Sequence, residues 1–213
     1  MSGRPAGPRW VEVDPARLPK WLATFSERHG TPVETIRGYA VELAAPDGST
    51  AVLHPPPGAA APASLAALVT DAAVVRRVGL LLARKGAVAV GVALGESLEA
   101  SKVDSHYVQG RTAAGGWSQQ RFARRRDNQA KAAAGDAADL VVRLLVPVVG
   151  NLAAVVTGGD RRAVDAVLAD PRLAAVAALR APRLLDVPEP RLVVLQEAAR
   201  RARAVPILID DRA

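Results

Sequence analysis

The sequence contains no cysteine, and this absence removes several kinds of chemistry at once. Disulfide bonds, thiolate metal sites and a cysteine nucleophile are excluded, and the composition is typical of a protein in a reducing interior. Aromatic residues make up only 3% of the chain and methionine occurs once, so the core must be built from alanine, valine and leucine. Many of the alanines are therefore expected in closely packed helices.

Long apolar runs are also missing. No uninterrupted run reaches the roughly 18 residues that a membrane span needs, and residues 1–9, expected to form a disordered tail, lack the apolar stretch of a secretory signal. We therefore expect a cytoplasmic protein.

Motifs for metal, nucleotide or triad chemistry are absent as well. His29, His54 and His106 lack the spacing of zinc ligands, and each is expected to be structural. Neighbours on one strand point to opposite faces, so Asp104, Ser105 and His106 do not predict a catalytic triad. The chain has neither a GxGxxG motif nor the ending of a P-loop. We expect no cofactor and no metal.

Basic charge is what the chain does contain. Its 213 residues are 50% hydrophobic and 23% charged, which is ordinary for a globular protein, and the formal net charge is +7. Nucleic acid or the ribosome is therefore the leading expected partner, ahead of an anionic membrane. No helix-turn-helix pattern is visible, so DNA is not an expected partner. A membrane is not an expected partner either.

Local patterns near the N-terminus predict a helix followed by a hairpin. A helix is expected over residues 15–29, with Asp14 as its N-cap and Gly30 as its stop. Extended runs over residues 35–45 and 50–54, joined by Pro-Asp-Gly-Ser, predict two hairpin strands.

A proline-rich segment over residues 55–62 is typical of a linker and suggests a boundary. We expect an N-terminal extension over residues 1–62 and a larger domain over residues 63–213. The larger domain shows a short helix capped by Ser64, followed by strand runs over residues 74–83, 87–94 and 97–109. A long helix is expected over about residues 120–146, with a candidate kink or break at residues 135–136. Strand runs over residues 152–157 and 205–209 alternate with helices over residues 161–168 and about 191–203, which indicates some parallel pairing. The predicted fold class is α/β (α+β), with a mixed sheet flanked by helices.

The most informative segment runs from Gly110 to Gln129, where a glycine-rich loop leads directly into a basic helix. Between Arg111 and Lys131 there are six basic residues and one acidic residue, so most of the excess charge lies in about a tenth of the chain. Helical spacing predicts a shared face whose partner is either a polyanion or solvent. The residues on that face are Arg121, Arg124, Arg125, Asn128 and Lys131.

The loop itself allows close approach to a ligand. Gly115 and Gly116 tolerate positive φ and put no side chain in the way. Trp117 is predicted either to stack on a base or ribose or to pack under the loop. Arg111 is a candidate RNA contact from the other side of the loop.

Gly116-Trp117-Ser118-Gln119, with the Arg-Asp-Asn helix that follows, resembles the active loop and helix of the Vms-like release-factor family. These are peptidyl-tRNA hydrolases related to the catalytic domain of eukaryotic and archaeal class I release factors. The alanine- and arginine-rich composition suits the actinobacterial branch. The resemblance covers about residues 70–210, and it implies the fold of the catalytic middle domain of those factors.

The resemblance also implies a catalytic role for the Gly-x-x-Gln pattern. It assigns the functional glutamine to Gln119, with Gln120 as the alternative if the register slips by one, and it assigns Gly115 and Gly116 to the active loop. The implied substrate is peptidyl-tRNA on the large ribosomal subunit, held through its phosphates and ribosomal RNA by the basic helix. No ankyrin repeat, zinc finger or codon-reading domain accompanies the pattern. Cleavage of tRNA near its 3′ end and non-catalytic RNA binding remain alternatives.

Overall fold

The computed structural model describes residues 7–84, 86–105 and 119–211, and for residues 105 and 119–130 it describes the backbone alone. The chain packs into two compact units, one of residues 1–76 with 200–213 and the other of residues 77–199. These units are defined by packing, whereas the sequence predicts a boundary between domains at residues 62 and 63. That boundary stays a prediction.

The first unit is built on an antiparallel sheet with the strand order β1-β10-β4-β3-β2. The order shows that the last described strand lies between the first described strand and the predicted hairpin. Its elements are β1 (Arg9–Val13), α1 (Leu18–His29), β2 (Val33–Arg37), β3 (Ala40–Ala44), β4 (Thr50–Leu53), α2 (Leu65–Ala72) and β10 (Val205–Asp210).

Both helices of the first unit begin and end as their sequences predict. Asp14 accepts a hydrogen bond from the backbone of a short 3-10 turn that leads into α1, and Gly30 ends α1 with φ 87°. The Ser64 side chain caps α2. Leu18 and Phe25 of α1 and Leu68 of α2 are buried in one core cluster with sheet residues, so the two helices cover the sheet through their apolar sides.

Two local predictions for the first unit are wrong. The run over residues 35–45 is not one strand, because the chain turns at Gly38, whose φ of 59° suits glycine, and separates β2 from β3. Arg9 does not belong to a tail, since it pairs with Ile209 at the start of β1. The β1 pairing joins segments that are far apart in the chain, whereas β2 and β3 form a hairpin of neighbouring strands.

The second unit contains a mixed sheet with the order β7-β6-β5-β8-β9. β5, β6 and β7 are antiparallel neighbours, whereas β8 is parallel to both β5 and β9. The predicted parallel pairing after residue 140 is therefore confirmed. The elements are β5 (Arg77–Arg84), β6 (Ala87–Leu94), β7 (Ser97–Ser105), α3 (Gln119–Leu144), β8 (Ala154–Gly159), α4 (Arg161–Leu168), α5 (Ala174–Ala178), β9 (Arg180–Leu185) and α6 (Leu192–Arg203).

Helices cover the second sheet through its small and aliphatic residues. Val141 of α3 and Val164 of α4 are fully buried in one cluster with Leu81 and Val90 of the sheet. Against Gly91, a Cβ atom would lie 3.1 Å from Leu195 Cδ2 of α6, so the glycine leaves room for that leucine. Sheet and helices thus form a single core within the unit.

Helix α3 is continuous over 26 residues, so the predicted break at Gly135 is wrong, and a kink there stays a prediction. A side chain at Gly135 would meet nothing within 4 Å, so the glycine faces open space. Burial of Ala137, Ala138 and Val141 keeps the helix continuous through this point, because packing outweighs the weak helix preference of one glycine. Two sheets flanked by helices confirm the predicted mixed fold class. None of the helices in the described ranges combines the length and apolar character required to cross a bilayer.

Candidate functional site

Strand β7 and helix α3 bracket the glycine-rich segment. β7 ends at Ser105, which pairs with Ala87 of β6, and α3 begins at Gln119. The sheet edge and the helix start therefore fix the two ends of the segment between them. The sequence-predicted residues that lie outside the described ranges are Arg111, Gly115, Gly116, Trp117 and the structural candidate His106.

The two candidate glutamines occupy the start of a long, anchored helix. Gln119 and Gln120 are its first two residues, and at about 1.5 Å per residue its 26 residues span roughly 39 Å. The distal part of α3 is held by buried Ala138 and Val141. The first turn is thus attached through one rigid element to the core of its unit. The choice between Gln119 and Gln120 stays a prediction.

The predicted basic face also lies along α3. At about 100° per residue, the backbone positions of Arg121, Arg125 and Asn128 lie opposite the buried positions of Ala137 and Val141. Arg124 lies on the same helix towards that side, and Lys131 is exposed. The continuous helix brings the five positions together along one side, as the spacing predicts.

The sheet edge from which the segment departs contains one end of each of the five strands. Ser105 pairs with Ala87, and Ala87 pairs with Arg84 at the end of β5. Next in the sheet, Ala83 pairs with Gly159 of β8. Because β5, β8 and β9 run in the same direction, their carboxyl ends all lie at this edge, which is a common place for ligands in sheets with parallel strands.

A close backbone contact joins β5 to β8 at the same edge. Gly159 has φ 96°, and a Cβ atom there would lie 2.3 Å from the carbonyl oxygen of Ala83. That oxygen accepts a hydrogen bond of 2.8 Å from the backbone N–H of Asp160. The Asp160 side chain accepts from the backbone N–H groups of Arg162 and Ala163 at the start of α4. Strand end and helix start are therefore held together by backbone geometry.

Three arginines at this edge are not among the sequence-predicted site residues: Arg84, Arg161 and Arg162, which we call the edge arginines. All three are exposed. The local signal was the Gly-Gly-Asp turn that precedes Arg161, but the proximity of Arg84 depends on the pairing of β5 with β8. Three arginines thus lie beside the start of the glycine-rich segment.

Other arginines of the second unit are neutralised by carboxylates. Arg77 donates two hydrogen bonds to Glu99, at 2.7 and 2.9 Å, and these bonds hold the pKa of Glu99 below its usual value. Arg172 likewise lowers the pKa of Asp170 through side-chain and backbone hydrogen bonds. We regard both pairs as structural.

The two described histidines belong to the first unit and make structural contacts. His29 Nδ1 lies 2.8 Å from Asp47 Oδ2, and the His29 ring is tilted by 41° against that of Phe25, with 4.9 Å between the centroids. The His54 ring lies 5.3 Å from that of Trp10. No group of metal-binding side chains occurs among the residues whose side chains are described.

The hydrogen bonds to the Asp47 carboxylate predict that part of the stability of the folded protein is lost in acid. Its pKa is lowered, first by the hydrogen bond from the Ser49 backbone and then by His29. A lowered folded-state pKa stabilises the fold above the ordinary aspartate value of about 3.9, and this contribution disappears as pH falls through the folded-state value. Asp47→Asn should therefore lower the urea midpoint at pH 7 and not at pH 2. An equal loss at both values would contradict a role for the charge.

Comparison with known proteins gives one family match. The family model described as acVLRF1, Actinobacteria/chloroflexi VLRF1 release factor, matches residues 76–208. The match contains β5 to β9, α3 and the complete glycine-rich segment. A search of curated proteins finds no match.

Two solved structures align with most of the chain. One, titled "Archaeal protein", is 15% identical with a TM-score of 0.39, covering 92% of this chain and 65% of that chain. The other, titled "Crystal structure of archaeal translation termination factor, aRF1", is 15% identical with a TM-score of 0.43, covering 94% of this chain and 66% of that chain. This chain spans just under two thirds of the length of each. The assignment rests on the family model, which matches more than half of the chain: it belongs to the Actinobacteria/chloroflexi VLRF1 release factor family.

Proposed function

We propose that this protein is a peptidyl-tRNA hydrolase that acts as a release factor and frees nascent chains from tRNA on stalled or split ribosomes in the cytoplasm. The observation that carries the proposal is the family match over residues 76–208, because it includes the glycine-rich segment together with the helix that follows. The position of Gln119 at the start of α3 supports it, since a catalytic side chain needs a rigid base.

The proposed reaction requires no protein nucleophile. A water oxygen bonds to the ester carbonyl carbon, and the bond between that carbon and the ribose oxygen breaks. The ribose oxygen leaves as a hydroxyl group with one of the water protons. Gln119 positions the water through its amide, which can both accept and donate hydrogen bonds. Backbone N–H groups of Gly115 and Gly116 stabilise the negative charge on the carbonyl oxygen during attack.

The basic face of α3 holds the substrate in this proposal. Arg121, Arg124, Arg125 and Lys131 neutralise phosphates of the tRNA acceptor stem or of ribosomal RNA, and Asn128 lies among them. Arg111 and Trp117 contribute from the loop, through a phosphate contact and stacking on a base or ribose. Phosphate contacts of this kind are largely independent of sequence and are weakened by salt. Neither a metal nor a cofactor takes part in the proposed step.

The test is a release assay that examines both products. Purified chain is incubated with free peptidyl-tRNA and with ribosomes that carry a nascent chain, and the 3′ end of the tRNA is then mapped. We expect released peptide and tRNA with an intact CCA end, together with binding that weakens as salt is raised. Tight binding without release would instead identify a non-catalytic RNA-binding factor. A shortened tRNA would identify a nuclease that cuts near the 3′ end.

A further inference from the structure

We propose that the edge arginines form a second phosphate-binding surface, which holds the sugar-phosphate backbone of the tRNA substrate at the opposite end of the glycine-rich segment from α3. This inference rests on the proposed function, because it takes tRNA as the substrate. It adds a binding surface on a different element of the fold, at positions outside the sequence-predicted site.

The edge arginines are placed close together by the sheet. Gly159 lies beside Arg84, and a Cβ atom at Gly159 would be 3.0 Å from Arg84 Cγ. Arg161 and Arg162 are the first two residues of α4, immediately beyond Gly159 and Asp160. Ser105, where the glycine-rich segment departs, is two strands from Arg84, which is roughly 10 Å at the usual strand spacing. One RNA backbone can therefore reach this surface and the end of β7 together.

The arginines at the two ends of the parallel strands differ in how they are paired. At the amino ends of β5 and β9, Arg77 is bonded to Glu99, and Arg180 lies 2.6 Å from Asp165. At the carboxyl end of β5, Arg84 is 3.5 Å from Asp186, whose side chain is 96% exposed. Within the described residues, the guanidinium groups of Arg161 and Arg162 have neither a hydrogen bond nor an ion pair. Positive charge at this end is thus left for an external anion.

Local acidic groups compensate the edge arginines only in part. The Asp160 carboxylate accepts two backbone hydrogen bonds at the start of α4, so it is already engaged within the protein. Asp186 is almost fully exposed, and an exposed ion pair of this kind contributes little. The edge arginines can therefore still bind a phosphate, whose oxygens match the fork of a guanidinium group.

The surroundings favour an RNA backbone over a membrane or an apolar protein partner. Among the described residues, β5, β8 and α4, which carry or adjoin the edge arginines, contain no large exposed apolar side chain. Insertion into a lipid surface or a stable protein contact requires apolar anchors, whereas a phosphate backbone requires only positive charge and hydrogen-bond donors.

The test compares two double variants of the full chain in binding to deacylated tRNA. Arg161→Gln with Arg162→Gln removes two edge arginines, and Arg17→Gln with Arg28→Gln removes two exposed arginines of the first unit as a matched control. We expect the edge variant to bind roughly tenfold more weakly at 0.1 M salt. Its slope of log affinity against log salt should be smaller by about 1.5, since each lost phosphate contact accounts for roughly 0.7 to 0.9. The control should stay within about twofold of the wild type.

Arg84→Gln gives an independent arm at a different element, and it should weaken binding roughly threefold with a slope smaller by nearly one. Unchanged melting temperatures verify that each variant is folded. Wild-type affinity and slope in the edge variant, or an equal loss in the control, would overturn the proposed surface. Failure of the proposed function is recognised separately, because a wild-type chain that binds tRNA and releases no peptide contradicts the hydrolase while leaving the edge result readable.

Discussion

Replacing Gln119 with alanine is expected to lower the rate of peptide release at least about a hundredfold while tRNA affinity stays within about twofold. The proposed water is held by the amide, and loss of attack geometry or of one stabilising hydrogen bond typically costs a factor of this size. Phosphate contacts do not involve the amide, so binding should persist. Single-turnover release from peptidyl-tRNA, measured with saturating protein, separates the two quantities.

Two further variants make the Gln119 result specific. Gln120→Ala should release peptide at nearly the wild-type rate, and the opposite outcome would move the catalytic position by one residue. Arg124→Ala with Arg125→Ala should instead weaken tRNA binding and reduce its salt dependence. If Gln119→Ala releases peptide normally while the arginine variant does not, the chain acts as an RNA-binding factor and the catalytic assignment is wrong.

Replacing Gly159 with alanine is expected to destabilise the protein by about 3–5 kcal/mol, the largest effect on stability that we foresee for a single methyl group. The residue has φ 96°, where a side chain strains the backbone. The new Cβ would also lie 2.3 Å from the Ala83 carbonyl oxygen, so β5 and β8 would have to separate. Thermal unfolding should show a loss of about 10 °C for a chain of this length.

Two other glycines separate the causes of that loss. Gly38 has φ 59° but no neighbour within 4 Å of an added Cβ, so Gly38→Ala should cost only about 1 kcal/mol of backbone strain. Gly135 is helical and equally open, so Gly135→Ala should raise stability by roughly 0.5–1 kcal/mol. Similar losses at Gly159 and Gly38 would show that the close approach between the strands is unimportant.

Helix ends and strand runs of this protein could be predicted because their signals are local. Asp14 and Ser64 cap the helices where their sequences predict, and the run over residues 87–94 forms β6 with the expected bounds. The predicted break of α3 at Gly135 does not occur, because the helix preference of one residue says nothing about the buried alanines that follow it. Tertiary packing keeps the helix continuous there.

The missed elements depend on partners far away in the chain. β9 (Arg180–Leu185) contains two arginines and a proline, and its sequence gives little strand signal without its parallel neighbour β8. The strand run at residues 205–209 was predicted, but its position between β1 and β4 was not. No periodicity within a strand specifies which segment 150 or more residues away will pair with it.

The candidate site likewise has one part that could be predicted from local sequence and one part that could not. The basic face of α3 follows from helical spacing, and the continuous helix places Arg121, Arg125 and Asn128 on one side as predicted. The edge arginines come from two segments separated by some 77 positions, and only the register of Ala83 with Gly159 brings them together. Spacing along the chain therefore indicated the helix and missed the sheet edge.

The position of β10 has a consequence for the order in which the protein forms during its own synthesis. β10 is the only described strand that joins β1 to β4, and it is translated after all the other described strands. All residues of the second unit have been translated by Ala199, before β10 begins at Val205. Until residues 205–210 emerge, the edges of β1 and β4 that pair with β10 have no partner. A nascent chain of this protein therefore contains all residues of the second unit, including its basic helix, before the sheet of the first unit can close.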